Sequence, residues 1–173
     1  YWVSYPAMVE LFGGISVIIE TSEKDGWKLS RPEGGIPQPR EGLEISELEK
    51  YYSSKIKFLI LNNGSNPAGV LYSKEEIKEI LEFAAEKSIF VISDEVYSGL
   101  TYDDNQFISC ASFLEFRNHL AVIQSCSKNL AMTGWRVGCV FAPEEIIKVL
   151  TDLTSQSTTG VTTISQYAAL AGL

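Results

Sequence analysis

Asp94, Tyr97, Lys128 and Arg136 are reactive or charged side chains placed where apolar, β-branched runs end or begin. The stretch S-C-S-K-N-L-A-M-T-G-W-R-V-G, residues 125–138, holds its lysine between one strand-like run and the entrance of the next. A lysine at the end of a buried strand is expected to lose its charge readily, because desolvation disfavours the ammonium form. A neutral amine attacks a carbonyl and forms a Schiff base. An aspartate at the end of a neighbouring strand stays ionised if it meets a positive partner, and a protonated pyridine nitrogen is such a partner. Tyr97, three residues past Asp94, would hydrogen-bond a phenolic oxygen on the same ring. Arg136 would clamp a phosphate bidentately, with Ser125 and Ser127 adding hydroxyls. Lysine for an aldehyde, aspartate for a ring nitrogen and arginine for a phosphate together describe a pyridoxal 5'-phosphate site.

Such groups converge only if the elements carrying them lie side by side. Strand-like runs occupy residues 14–20 (G-I-S-V-I-I-E), 56–61 (I-K-F-L-I-L), 89–93 (I-F-V-I-S), 120–124 (L-A-V-I-Q) and 137–142 (V-G-C-V-F-A). Several are continuously apolar, as expected of strands covered on both faces. Helical patterns lie between them. Ser73 and Glu76 make a capping box ahead of Ile77, Ile80, Leu81, Ala84 and Ala85, an amphipathic stripe. Ser46 and Glu49 make a second box, for a short helix through Tyr52. Residues 4–12 read as a helix stopped by Gly13 and Gly14. Pro143 fits a first helical position, with Ile146, Ile147, Leu150 and Leu153 as that helix's buried face. Residues 22–42 read as a long exposed loop. Alternating strands and helices predict an α/β fold with a mostly parallel sheet, in which ligands collect at the carboxyl ends of the strands. Three strands in turn are followed there by polar groups: N-N-G-S-N-P-A-G, D-E-V-Y-S-G and S-C-S-K-N.

Composition narrows the function. A net charge of −8 argues against nucleic acid as a partner, since phosphate binding needs a basic face. No apolar run approaches the roughly 20 residues of a membrane span. Three cysteines, Cys110, Cys126 and Cys139, form no C-x-x-C pair, which points away from disulfides and toward a reducing, cytoplasmic compartment. No residue cluster suggests a metal. His119 reads as a loop histidine.

The chain resembles, essentially end to end, the class I, fold-type I pyridoxal-phosphate-dependent aminotransferases, and most closely their aspartate aminotransferase subgroup. The resemblance is carried by Y-W-V-S-Y-P, S-N-P-A-G, S-D-E-V-Y-S-G-L-T-Y-D, the 125–138 stretch, and S-Q-S-T-T-G with S-Q-Y-A-A, in the family's order. It implies a three-layer α/β/α large domain. It makes Lys128 the Schiff-base lysine and proton shuttle, and Asp94 the partner of the ring nitrogen. Tyr97 and Asn66 would bond the phenolic oxygen, Ser125 and Arg136 would hold the phosphate, and Trp2 would stack on the ring. The Asn66–Pro67 peptide is expected to be cis. The implied reaction is transamination between an amino acid, aspartate, and a 2-oxo acid, 2-oxoglutarate, in a homodimer. The family's chains are longer. By the resemblance, residues 1–173 are part of the cofactor-binding domain, with an upstream phosphate loop and a C-terminal small domain outside them, so this piece alone is expected to be inactive. Gly64 and Ala68 stand where proline and threonine are usual, and Cys126 stands between the two serines. Two alternatives stay open: another fold-type I activity such as a C–S lyase, and a truncated domain that turns nothing over.

Overall fold

A computed structural model describes residues 1–29 and 45–173. Helix α1 spans Ser4–Leu11 and α2 spans Ile45–Tyr51. Strand β1 (Phe58–Asn62) leads through α3 (Lys74–Glu86) to β2 (Phe90–Asp94). Strand β3 (Leu120–Ser125) runs directly into the four-residue α4 (Cys126–Asn129). Then follow β4 (Gly138–Phe141), α5 (Glu144–Ser157) and α6 (Thr163–Gly172). The sheet order is β1-β2-β3-β4, with the first two pairings parallel and the last antiparallel. This is an α/β fold with a mostly parallel sheet. Among the described residues no helix is long and apolar enough to cross a membrane.

Helix α3 forms where the pattern places it. Ser73 Oγ accepts from Glu76 N at 3.2 Å and the Glu76 carboxylate accepts from Ser73 N at 2.7 Å, closing the capping box. Ile77, Ile80, Leu81 and Ala84 are at most 2% exposed and pack with Val91 of β2, Val122 of β3, Cys110 and Phe113 into the core. The crossover from β2 to β3 carries two short 3-10 turns, Cys110–Ser112 and Leu114–His119. His119 closes the second of them.

Four expectations change. Residues 14–20 join no ladder among the described residues; a strand needs a neighbour, and Ile15 is 90% exposed. Strand β4 is exposed along its length, because it lies at the sheet edge with nothing described packed over it. The apolar stripe of α5 is not buried: Leu153 is 59% exposed, and no described element covers it. Pro143 caps α5 from outside rather than opening it. Residues 22–29 hold one 3-10 turn, Glu23–Asp25; the rest of the predicted 22–42 loop, and the side chain of Ser46 in the second capping box, lie outside the described residues.

Candidate active site

In register, Asn62 of β1 lies beside Asp94 of β2, and Asp94 beside Ile123 of β3. The carboxyl ends of three strands therefore deliver Asn62, Asp94 and Ser125 to one rim. The Asp94 carboxylate is fixed from two sides. Its Oδ2 accepts from the Tyr5 hydroxyl at 2.6 Å, and its Oδ1 accepts from Val96 N at 3.3 Å. Asn62 donates through Nδ2 to the Asp94 carbonyl at 3.0 Å and accepts from Asn66 N at 2.9 Å. Asn66 in turn donates to the Tyr97 hydroxyl at 3.3 Å. The Lys128 ammonium lies 5.8 Å from the centre of the Tyr97 ring. A continuous set of contacts thus runs from Tyr5 through Asp94, Asn62, Asn66 and Tyr97 to Lys128.

The turn after β1 is shaped for this. The Asn66–Pro67 peptide is cis. Gly64 has φ +73°, a conformation closed to proline, whose ring holds φ near −65°. A Cβ at Gly64 would stand 3.3 Å from Tyr97 Cβ, so the turn and the tyrosine approach as closely as glycine allows.

Lys128 reaches the rim differently from the expectation. It is exposed, because α4 carries it beyond the end of β3, so burial does not explain its place in the site. Next to it, Ser125, Ser127 and Arg136 line a depression of about 280 Å³, together with Gly138 and Cys139. Ser125 is the N-cap of α4: its hydroxyl accepts from Ser127 N at 3.0 Å and donates to the Val137 carbonyl at 3.1 Å. Arg136 takes a left-handed backbone, φ 58°, rare for a non-glycine residue, and its Nη1 donates to the Thr133 carbonyl at 2.9 Å. Trp2 meets Tyr5 edge to face at 5.6 Å, which places its indole one contact from Asp94.

Several residues at the site have no counterpart in the sequence reading. Tyr5 is the clearest. Burial first, then its bond to Asp94 and the charge there, with Tyr97 adding, push its phenol far above the ordinary range. Its hydroxyl donates to Asp94 Oδ2. The available signal was a hydroxylated aromatic in the first turn of a helix, three residues past Trp2, which nothing in the spacing tied to Asp94. Glu95 is fully buried beside Asp94; its Oε1 accepts from Ser93 Oγ at 3.0 Å and Cys110 N at 2.8 Å, while Oε2 has no partner among the described residues.

Comparison with known proteins agrees with this architecture. The model of the family described as aminotransferase class I and II matches residues 1–173. A probable aspartate/prephenate aminotransferase of Aquifex aeolicus is 38% identical over 174 residues, covering 100% of this chain and 41% of the relative. An aspartate aminotransferase of Geobacillus stearothermophilus is 38% identical over 172 residues, covering 99% of this chain and 40% of the relative. The crystal structure of an aromatic aminotransferase from Pyrococcus horikoshii superposes with a TM-score of 0.85 at 36% identity, over 97% of this chain and 41% of that one. The chain spans about two fifths of the length of the relatives it matches. It belongs to the class I and II aminotransferase family.

Proposed function

We propose that this chain supplies the cofactor-binding part of a pyridoxal-phosphate-dependent aminotransferase that exchanges the amino group of aspartate with 2-oxoglutarate. The observation that carries the reading is the contact set at the rim: a fixed carboxylate, a phenol–amide pair and an amine, with an arginine and two serines beside them. That donor and acceptor set fits a pyridine nitrogen, a phenolic oxygen, an aldehyde and a phosphate in one ligand. Pyridoxal phosphate, when bound, supplies an electron sink for a substrate that has lost its α-proton.

The chain's own residues have distinct tasks. Asp94, held by Tyr5 and Val96, presents an oriented carboxylate to the ring N–H. Tyr97 and Asn66 would donate to the phenolic oxygen. Arg136, with Ser125 and Ser127, would take the phosphate. Trp2 would cover the ring face and exclude water. Lys128 would hold the aldehyde at rest, and its Nζ would carry the proton as a general base and then a general acid.

We infer further that the working enzyme is a longer, cytoplasmic homodimer, and that residues 1–173 form part of its large domain. The two-fifths coverage of relatives supports the greater length. A piece lacking the upstream phosphate loop and the small domain would not turn over, since orientation of the substrate accounts for about 7–11 kcal/mol of barrier in well-positioned reactions.

The test is keto-acid formation by the full-length protein from aspartate, with and without 2-oxoglutarate. Product that requires the acceptor supports transamination. Keto acid released without acceptor in a third arm, from an amino acid with a C–S bond in its side chain, would favour a C–S lyase, and no product in any arm would leave the non-catalytic reading.

A further inference from the structure

Lys128 and Tyr97 sit on turns that leave different strands. After Glu95 N donates to the Ile123 carbonyl at 2.9 Å, the parallel pairing of β2 with β3 ends. Among the described residues, the next hydrogen bonds joining the two turns are both made by one side chain, Asn129. Its Oδ1 accepts from Gly99 N at 3.0 Å and its Nδ2 donates to Ser98 Oγ at 2.9 Å. The amide orientation is fixed by chemistry, because a backbone N–H only donates and must face the oxygen.

The fit is close. A Cβ on Gly99 would stand 3.2 Å from Asn129 Cγ, tighter than an ordinary contact, so glycine at 99 lets the amide lie against the backbone. Asparagine offers an acceptor to Gly99 N and a donor to Ser98 Oγ; leucine of similar size offers neither, and aspartate offers acceptors only, which the Ser98 hydroxyl can meet by donating. The clamp closes directly beside Lys128, an exposed lysine on a four-residue helix, and directly after Tyr97 and Ser98. A flexible four-carbon stem is poorly localised by itself. Fixing the backbone at its root against the turn that carries Tyr97 restricts where the amine can go.

We propose that Asn129 is a positioning residue that locks the Lys128 turn to the Tyr97 turn and so holds the amine in reach of the cofactor's aldehyde. This rests on the function proposed above, and the two can fail separately. Amide hydrogen exchange at Gly99 in the cofactor-free, full-length protein reads the clamp alone. Asn129→Ala should speed that exchange about fivefold, and Asn129→Asp, which keeps an acceptor for Gly99 N and can accept from the Ser98 hydroxyl, should restore most of the protection. The rate at which pyridoxal phosphate becomes linked to Lys128, followed by absorbance, should fall about tenfold in Asn129→Ala, and kcat with it, while KM for the amino acid stays within about twofold. The melting temperature should hardly move, because Asn129 lies outside the core. Ser98→Ala, which removes one arm of the clamp, should give a smaller version of the same changes. Gly99 exchange unchanged in Asn129→Ala, or accelerated exchange with an unchanged linkage rate, overturns the proposal. A parent protein that takes the cofactor on Lys128 yet does not transaminate would sink the function and leave the clamp tested by the linkage rate. A parent that never carries cofactor on Lys128 overturns both.

Discussion

Two regions of this molecule are built on opposite principles. The core under α3 is apolar and closed: Ile77 and Ile80 are 0% exposed, Val91 and Val122 1%. The rim at the carboxyl ends of the strands is half-open and polar, and its members are held by side-chain hydrogen bonds rather than by burial. Strands β2 and β3 belong to both. Val91 and Val122 anchor them in the core, and a few residues on they present Asp94 and Ser125 to the rim. The lesson is a division of labour. The core sets where the strand ends are, and short polar contacts then set how each side chain points. Substitutions in the two regions should therefore separate stability from chemistry.

The largest effect is expected from the core. Ile80→Ala should lower unfolding free energy by about 2–5 kcal/mol, through lost burial and the cavity left behind. Denaturant titration checks this, and activity per folded molecule should stay near that of the parent. Asp94→Asn should do the reverse. Turnover should fall on the order of a hundredfold, the scale of removing one preorganised electrostatic group, with little change in melting temperature. If it lost stability instead, the rim would be structural and the comparison broken. Tyr5→Phe keeps the ring against Trp2 and removes only the hydroxyl on Asp94. Turnover should drop about tenfold, within the range of a hydrogen bond to a charged group, with the fold unchanged by circular dichroism.

A pH effect sharpens the core side of the comparison. Burial, with the Glu95 charge adding and a Ser93 hydrogen bond opposing, pushes the Cys110 thiol from 9.0 up to about 12. In the unfolded chain the thiol ionises at its ordinary value, while the folded chain keeps its proton. Stability should thus fall as pH rises from 9 toward 12, with no contribution from this group below 9. Cys110→Ala should flatten that slope in denaturant titrations across the range.

How much of this was legible in the sequence differs between elements for physical reasons. Helices α3 and α5 carry similar amphipathic stripes, yet α3 buries Ile77 and Ile80 completely while α5 leaves Leu153 59% exposed. Periodicity tells that a face needs a cover and says nothing about what provides it. The 14–20 run failed as a strand for the same reason, since β character is completed by a neighbour. At the rim, Asp94, Tyr97 and Lys128 were singled out by residue type and place after a strand, and Asn66 only by the family resemblance. Tyr5, Asn62, Glu95 and Asn129 were not. Tyr5 and Asp94 are 89 residues apart in sequence, and only the folded chain joins them. Lys128 reaches the rim, but exposure on α4 replaces the burial expected of it.

The central claim is that this rim holds pyridoxal phosphate through Lys128. It is tested most directly by incubating the full-length protein with the cofactor, reducing with borohydride and mapping the modified peptide by mass spectrometry. The account predicts the label on Lys128, and its loss from that peptide in Lys128→Ala. A label on any other lysine, with Lys128 unmodified, would contradict it.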